Sequence, residues 1–222
     1  MTKVYIIRHC ETMGNHLKVF QGSNDFDVSP VGEKQIAALG ERFKAIHIDA
    51  VYSSPYLRAK KTAAAIADSK GLQINENEGL REISGGIIEG KTLKEIFENH
   101  KELEDAWNLT PQDFHAKDGE SMRSVYNRVS AAFMEIVKEN KGKTIAVVSH
   151  GAAIRNLLCF LIYGDVEKLI KVDWCDNTAV NLVEFDDNFK AEIKFLNSTE
   201  HLSEELLPSG SRITAWSKES KE

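Results

Sequence analysis

The sequence predicts an α/β fold in which helices cover both faces of a mostly parallel central sheet. Three short runs rich in apolar and β-branched residues, at 4–7, 49–52 and 144–148, each stop abruptly at polar residues. Such runs are typical of strands buried on both faces. Helical periodicity follows each run, directly or after a loop, and this alternation favours parallel strands joined by helices. We therefore expect a three-layer α/β/α sandwich.

Four helices have boundaries that the sequence marks. Ser29 supplies an N-cap and Pro30 suits the first helical turn, and apolar residues then recur at helical spacing from Val31 to Phe43. Glycine is common just beyond the end of a helix. The other three helices are expected at about 55–67 before Gly71, at about 121–140, and at about 152–163 before Gly164.

The last part of the chain contains a predicted β-hairpin. Residues 180–185 and 191–195 have the composition of strands, and the polar residues at 186–188 suit the turn between them. Beyond the hairpin the chain becomes polar. We expect a turn at 208–210 and a loose end at 217–222, to which no function is assigned.

Residues 84–120 differ from the rest of the chain. The segment begins with Gly85, Gly86 and Gly90 and continues with short helical stretches. Irregular segments on a regular scaffold commonly carry binding residues. We therefore expect a helical lid insertion over the active site, within a single domain that spans residues 1–222.

Composition and charge exclude several classes of function. Lys and Arg total 28 against 34 for Asp and Glu, and this net charge of −6 argues against binding to nucleic acid or to an anionic membrane. Three scattered cysteines, Cys10, Cys159 and Cys175, are typical of free thiols in a reducing compartment. The first apolar run is too short for a signal peptide or a membrane span, so we expect a cytoplasmic protein.

Polar residues that suit an anion follow each of the first three predicted strands. Arg8 and His9 follow the first strand, Arg58 follows the Ser-Ser-Pro turn at 53–55, and His150 follows the third. Ligands of open α/β sheets bind outside the carboxyl ends of the strands. One guanidinium group can donate two parallel hydrogen bonds to a phosphate, and histidine can act as a nucleophile or a cation. These residues therefore predict a phosphate site at one edge of the sheet.

An ordered set of short motifs extends from residue 4 to about residue 160. The set comprises residues 8–12 with Asn15, and then residues 20–22, 53–59, 62–63, 80–82, 89–90, 119–121 and 148–151. In this order it resembles the histidine phosphatase superfamily, also called phosphoglycerate mutase-like, and in particular its phosphatase branch. A lone Arg-His pair would be a weak signal, whereas the ordered set is specific.

The resemblance implies a role for each matching residue. His9 would be the nucleophile that takes the phosphoryl group, and Glu82 would be the general acid. Arg8, Arg58 and a protonated His150 would form a cationic pocket around the phosphoryl oxygens. The implied substrate-binding residues are Asn15, Gln21, Gly22 and Gly151. The implied chemistry needs no metal and no cofactor.

These implications lead to the expected function of a metal-independent phosphatase for a small phosphorylated metabolite, acting through a phosphohistidine on His9. One alternative is a cofactor-dependent phosphoglycerate mutase, which would return the phosphoryl group to the sugar acid. The chain length and residues 20–23 favour the phosphatase. The other alternative is a binding or regulatory member impaired by Cys10, and the complete set of His9, Arg58, Glu82 and His150 argues against it.

Cys10 occupies a position where the family usually has glycine. The simpler interpretation is that residue 10 has a negative φ and that its small thiol packs in the core. The alternative is a thiol with a lowered pKa beside the anion site, which would be open to oxidation. His9, Cys10 and His150 could also bind zinc, although the two neighbouring arginines would repel a dication.

Overall fold

The computed structural model describes residues 1–207 and contains a six-stranded mixed sheet. Its strands are Thr2–Arg8 (β1), Ala50–Ser53 (β2), Ile74–Glu76 (β3), Thr144–Ser149 (β4), Val180–Phe185 (β5) and Ala191–Ser198 (β6). They lie in the order β3-β2-β4-β1-β5-β6. The first four strands of this order are mutually parallel. β5 is antiparallel to β1, and β6 is antiparallel to β5. The mostly parallel sheet and the late hairpin are both confirmed.

Helices pack on both faces of this sheet. Those of the described region are Met13–His16 (α1), Pro30–Phe43 (α2), Leu57–Ala67 (α3), Leu93–Asn99 (α4), Lys101–Leu109 (α5), Met122–Glu139 (α6) and Gly151–Tyr163 (α7). No helix within residues 1–207 is long and apolar enough to cross a membrane. The turn expected at 208–210 and the loose end at 217–222 lie outside the described residues.

Alternate side chains of the central strands enter two different cores, which confirms the three-layer sandwich. Ile6 and Val147 belong to one hydrophobic cluster with residues of α6 and α7. Their neighbours Ile7 and Val148 belong to a second cluster with residues of α2 and α3. Because successive side chains of a strand point to opposite faces, a continuous apolar run is what such a buried strand requires.

Most helix boundaries agree with the sequence, and one differs. The Ser29 and Ser121 hydroxyls cap α2 and α6 by accepting backbone N–H bonds, and Gly164 ends α7 with a φ of 64°. α3 begins at Leu57 rather than at Pro55, because Tyr56 keeps an extended backbone as the N-cap. β3, a three-residue strand at the edge of the sheet that pairs only with β2, was not predicted from the sequence.

Segment 84–120 is helical but irregular, as expected. It contains α4, α5 and two short 3-10 turns, Gly86–Ile88 and Pro111–Asp113. Its buried apolar residues, including Ile88 and Phe114, join the cluster that contains the α6 and α7 side chains. The segment is therefore anchored to the face of the sheet that carries α7.

Candidate active site

The carboxyl ends of β1, β2 and β4 bring distant parts of the chain together. β1 pairs with β4 in parallel as far as Arg8 and Ser149, so His9 and His150 leave adjacent strands at the same level. Their ring centroids are 5.1 Å apart. One pocket is lined by Arg8, His9, Arg58 and Glu82. His150 is fully buried and contacts His9 and Arg58.

His9 is held as a neutral imidazole with one nitrogen free. Its Nδ1 lies 2.6 Å from the carbonyl oxygen of Cys10, which can only accept, so Nδ1 carries the proton. Burial, followed by the positive charges of Arg58 and Arg8, holds the pKa of His9 well below its ordinary value. The Nε2 lone pair is therefore available, which is the state that a nucleophilic histidine needs.

Arg58 is almost completely buried and is fixed through its whole guanidinium group. Its Nη1 and Nη2 donate to the carbonyl oxygens of Asn24 and Gly22 at 2.8 and 2.9 Å. Its Nε donates to His150 Nδ1 at 3.2 Å. These three hydrogen bonds hold the positive charge of the side chain at the pocket.

The same contact determines the charge of His150. Because Nδ1 accepts from Arg58, the ring proton is on Nε2, which lies 2.7 Å from the Ser54 hydroxyl. Burial and then the neighbouring charge of Arg58 hold the pKa of His150 well below its ordinary value. This arrangement therefore holds His150 as a neutral imidazole, whereas the resemblance implied a protonated ring.

Arg8 has an N–H donor that no described residue uses. Its Nη1 donates to the carbonyl oxygen of Cys175 at 2.5 Å. Its Nε is buried and has no hydrogen-bond partner among the described residues. Burial lowers the pKa of Arg8, but a guanidinium remains charged in proteins. A buried donor of this kind is normally satisfied, and an anion in the pocket would satisfy it.

Glu82 is positioned by the start of α7. Its Oε2 accepts from the backbone N–H of Ala152 and its Oε1 from that of Ala153, each at 3.1 Å. Its Oε1 also accepts from the N–H of Ile83 at 3.0 Å. The N-terminus of a helix favours an anionic group, so the fold itself orients this carboxyl group beside His9 and the two arginines.

The four expected substrate-binding residues, Asn15, Gln21, Gly22 and Gly151, all line the same pocket. Thr12 orients two of them, since its N–H donates to Asn15 Oδ1 and its hydroxyl donates to Gln21 Oε1. Gly22 has a φ of 51°, and a Cβ at this position would lie 2.5 Å from Glu89 Oε1. Glycine is therefore required where the chain supplies a carbonyl oxygen to Arg58.

Asn177 is a pocket residue that the sequence analysis missed. Its Nδ2 donates to the carbonyl oxygen of His9 at 2.9 Å, and the side chain lines the pocket. Asn177 comes just before β5, which pairs with β1 so that Val180 lies opposite Ile7. The only signal in the sequence was the predicted strand at 180–185, and its place beside β1 is a property of the fold.

Part of the pocket wall is apolar and aromatic. We call Phe20, Trp107 and Trp174 the aromatic wall. Trp107 comes from segment 84–120 and stacks on Trp174, with ring centroids 5.3 Å apart and an angle of 22° between the planes. Phe20 meets Trp107 edge to face at 6.2 Å. Trp174 was not identified from the sequence, because no motif surrounds it.

Cys10 packs in the core. It does not have a positive φ, and its side chain is fully buried. Burial raises the pKa of the thiol to about 11. The packing interpretation is confirmed, and the hypothesis of a lowered thiol pKa is wrong because no charge of the anion site compensates for burial. Within residues 1–207, no group of three or more His, Cys, Asp or Glu side chains could hold a metal ion.

The model of one protein family, the Histidine phosphatase superfamily (branch 1), matches residues 4–199, which include every site residue described above. The chain belongs to this superfamily. Phosphoserine phosphatase 1 of Hydrogenobacter thermophilus is 33% identical over 204 residues, which are 92% of this chain and 96% of that protein. The probable phosphoglycerate mutase GpmB of Salmonella arizonae is 32% identical over 166 residues, 73% of this chain and 75% of that protein.

Solved structures of histidine phosphatases have the same fold. YhfR of Bacillus stearothermophilus matches 91% of this chain and all of its own, with a TM-score of 0.86 and 28% identity. A phosphoserine phosphatase mutant of Entamoeba histolytica, in complex with phosphoserine, matches 91% of this chain and all of its own with a TM-score of 0.81 and 29% identity. These similarities favour a phosphatase, a phosphoric monoester hydrolase, over a mutase.

Proposed function

We propose that this histidine phosphatase hydrolyses a small phosphorylated metabolite through a phosphohistidine on His9. The observation that carries the proposal is the neutral His9 ring, which is protonated on Nδ1 and lies beside two fixed guanidinium groups. Nε2 would attack phosphorus, and the bond from phosphorus to the ester oxygen would break. The charge that develops on the phosphoryl oxygens would be met by Arg8 and Arg58.

Glu82 would move the proton in both halves of the reaction. In the first half, a protonated Glu82 would donate to the departing alkoxide. In the second half, its carboxylate would take a proton from water as the water oxygen attacks phosphorus, which releases inorganic phosphate and restores both His9 and Glu82. The backbone bonds from Ala152 and Ala153 hold the carboxyl group at one position in both halves. They favour its carboxylate form, and the negative charge of a phosphate bound beside it would favour the protonated form that the first half needs.

His150 would act mainly by orienting Arg58, since its Nδ1 accepts the Arg58 Nε–H. Asn15, Gln21, Gly22 and Gly151 would bound the phosphate end of the substrate. Segment 84–120 would act as the lid of a single domain spanning 1–222, which is supported by Leu93 and Trp107 lining the pocket. The three unpaired, buried cysteines support a cytoplasmic location.

The test is hydrolysis of a panel of phosphorylated metabolites, with and without a bisphosphoglycerate primer and with excess EDTA. Phosphoserine and 3-phosphoglycerate belong in the panel because one relative is named a phosphoserine phosphatase and the solved structure of another contains 3-phosphoglyceric acid. We expect release of inorganic phosphate that needs no primer and survives EDTA. Turnover only with the primer would favour the mutase, and inhibition by EDTA that a divalent metal reverses would contradict a metal-independent reaction.

A further inference from the structure

Beside the residues that suit a phosphate, the pocket is lined by apolar side chains: Val19, Phe20, Ile83, Leu93, Trp107 and Trp174. They come from four separate parts of the chain: the loop after α1, the position next to Glu82, segment 84–120, and the loop before β5. Their convergence on the pocket that holds the phosphate site defines the environment of the alcohol part of a bound ester.

The aromatic wall is preformed. Phe114 is fully buried and packs edge to face on Trp107, with ring centroids 5.0 Å apart. The Phe20 ring lies 6.5 Å from the Phe114 ring, so the same buried ring supports both Phe20 and Trp107. Rings fixed in this way offer apolar surface without an entropic cost of ordering when a ligand binds.

The charges around this surface disfavour a ligand with an ammonium group. Glu82 is the one carboxylate that lines the pocket within the described residues, and three backbone N–H groups already bind it. The charged side chains that line it otherwise are the cations Arg8, Lys18 and Arg58.

A fourth cation lies behind the wall. The guanidinium of Arg155 sits 4.8 Å from the centre of the Trp174 ring and is held there by the carbonyl oxygens of Val172 and Leu169. A cation stacked on an aromatic ring uses the negative potential of its face. Trp174 is therefore a poor site for a second cation but remains a good apolar surface.

We propose that the preferred substrates are phosphomonoesters whose alcohol carries an apolar group, and best an aromatic one, rather than small zwitterionic esters such as phosphoserine. This inference rests on the proposed function, because it concerns the alcohol side of the same reaction. The aromatic wall binds the alcohol, and the cluster around His9 binds the phosphate.

The test compares kcat/KM for 2-phenylethyl phosphate, ethyl phosphate and phosphoserine. All three release a primary alkoxide, so differences in leaving ability are small and the comparison reports binding of the alcohol. Burial of a phenyl ring should raise kcat/KM for 2-phenylethyl phosphate about 10- to 100-fold above that for ethyl phosphate. Phosphoserine should be no better a substrate than ethyl phosphate.

Substitutions in α5 test whether the aromatic wall causes the preference for the phenyl ester. Trp107→Ala should reduce kcat/KM for 2-phenylethyl phosphate about tenfold and change that for ethyl phosphate less than about threefold. Trp107→Phe should keep the preference because it keeps a ring. Leu109→Ala is the matched control on the same helix, since Leu109 is 70% exposed and does not line the pocket. It should change neither value.

The outcomes separate the two proposals. Preference for phosphoserine over 2-phenylethyl phosphate, or an equal loss on both alkyl esters in Trp107→Ala, would overturn the apolar subsite while leaving the phosphatase mechanism in place. Hydrolysis of none of the three esters, or hydrolysis that survives His9→Ala, would instead overturn the proposed function.

Discussion

The two ends of the pocket are built in different ways. At the phosphate end, His9, Arg58 and Glu82 are each held by a main-chain group: the carbonyl of Cys10, those of Gly22 and Asn24, and the N–H groups that begin α7. The rings of the aromatic wall, those of Phe20, Trp107 and Trp174, are instead held by packing against other side chains. Main-chain contacts fix the chemistry, whereas side-chain packing leaves the choice of alcohol open to substitution.

The largest expected effect is at the phosphate end. His9→Ala should reduce hydrolysis of every substrate by at least about 10³-fold, the scale that follows loss of a nucleophile. Steady-state kinetics on an alkyl and an aryl phosphate would measure it, with circular dichroism as a control for folding. Because this variant removes the chemistry, a loss confined to one substrate would contradict the division between the two ends.

Glu82 should produce a large effect that depends on the leaving group. Glu82→Gln should reduce kcat/KM, which reports the first transfer, about 10² to 10⁴-fold with alkyl phosphates, the range of general acid catalysis. The loss of kcat/KM should be smaller with nitrophenyl phosphate, because nitrophenolate leaves without a proton. Equal losses of kcat/KM with both esters, measured side by side, would remove Glu82 from the acid role.

The phosphate end should also make the protein sensitive to acid. The pKa values of His9 and His150 are held well below 6.5 in the folded state by burial and by arginine charge, whereas unfolded histidines titrate near 6.5. Below that pH the unfolded state binds more protons, so the free energy of unfolding should fall as the pH falls.

Urea unfolding at about pH 7.5 and about pH 5.5 would measure this loss. His201, whose pKa is lowered to about 4 by burial and by Arg42, adds to it from outside the site. The decrease should therefore become smaller in His9→Gln but should not disappear. An unchanged decrease in His9→Gln would show that the buried imidazole is not its source.

The smallest expected effect comes from Cys10, which touches the site only through its backbone. Its carbonyl accepts from His9 and its N–H donates to Thr62, and both contacts survive loss of the thiol. Cys10→Ala should therefore keep kcat/KM within about threefold, although it should lower stability by about 1–2 kcal/mol as a small cavity in the core does. Peroxide should affect the wild type and Cys10→Ala alike; protection by the substitution would revive the redox hypothesis.

The same contrast explains how far the sequence could predict the molecule. Arg8, His9, Arg58 and His150 follow strands that are recognisable from continuous apolar runs, and parallel strands place their carboxyl ends together. Glu82 could be assigned only through the resemblance, because the N–H groups that hold it belong to Ala152 and Ala153, about 70 residues away. Local patterns therefore predicted the sandwich and the cationic and histidine side chains of the phosphate end, but not its carboxyl group.

What the sequence could not predict depends on tertiary contacts. Asn177 and Trp174 reach the pocket because β5 lies beside β1, and nothing in residues 174–180 encodes that neighbour. The neutral state of His150 depends on one hydrogen bond from Arg58. β3 has only three residues and one partner strand, too little for a periodic signal.

The most direct test of the central claim is to identify the residue that is phosphorylated during turnover. Glu82→Gln with nitrophenyl phosphate is the suitable combination, because the first transfer needs no acid and the second lacks its base. We expect a burst of one equivalent of nitrophenolate, with the phosphoryl group on His9 by mass spectrometry after an alkaline quench. A phosphoryl group on another residue, or release of nitrophenolate without any phosphorylated protein, would contradict the account.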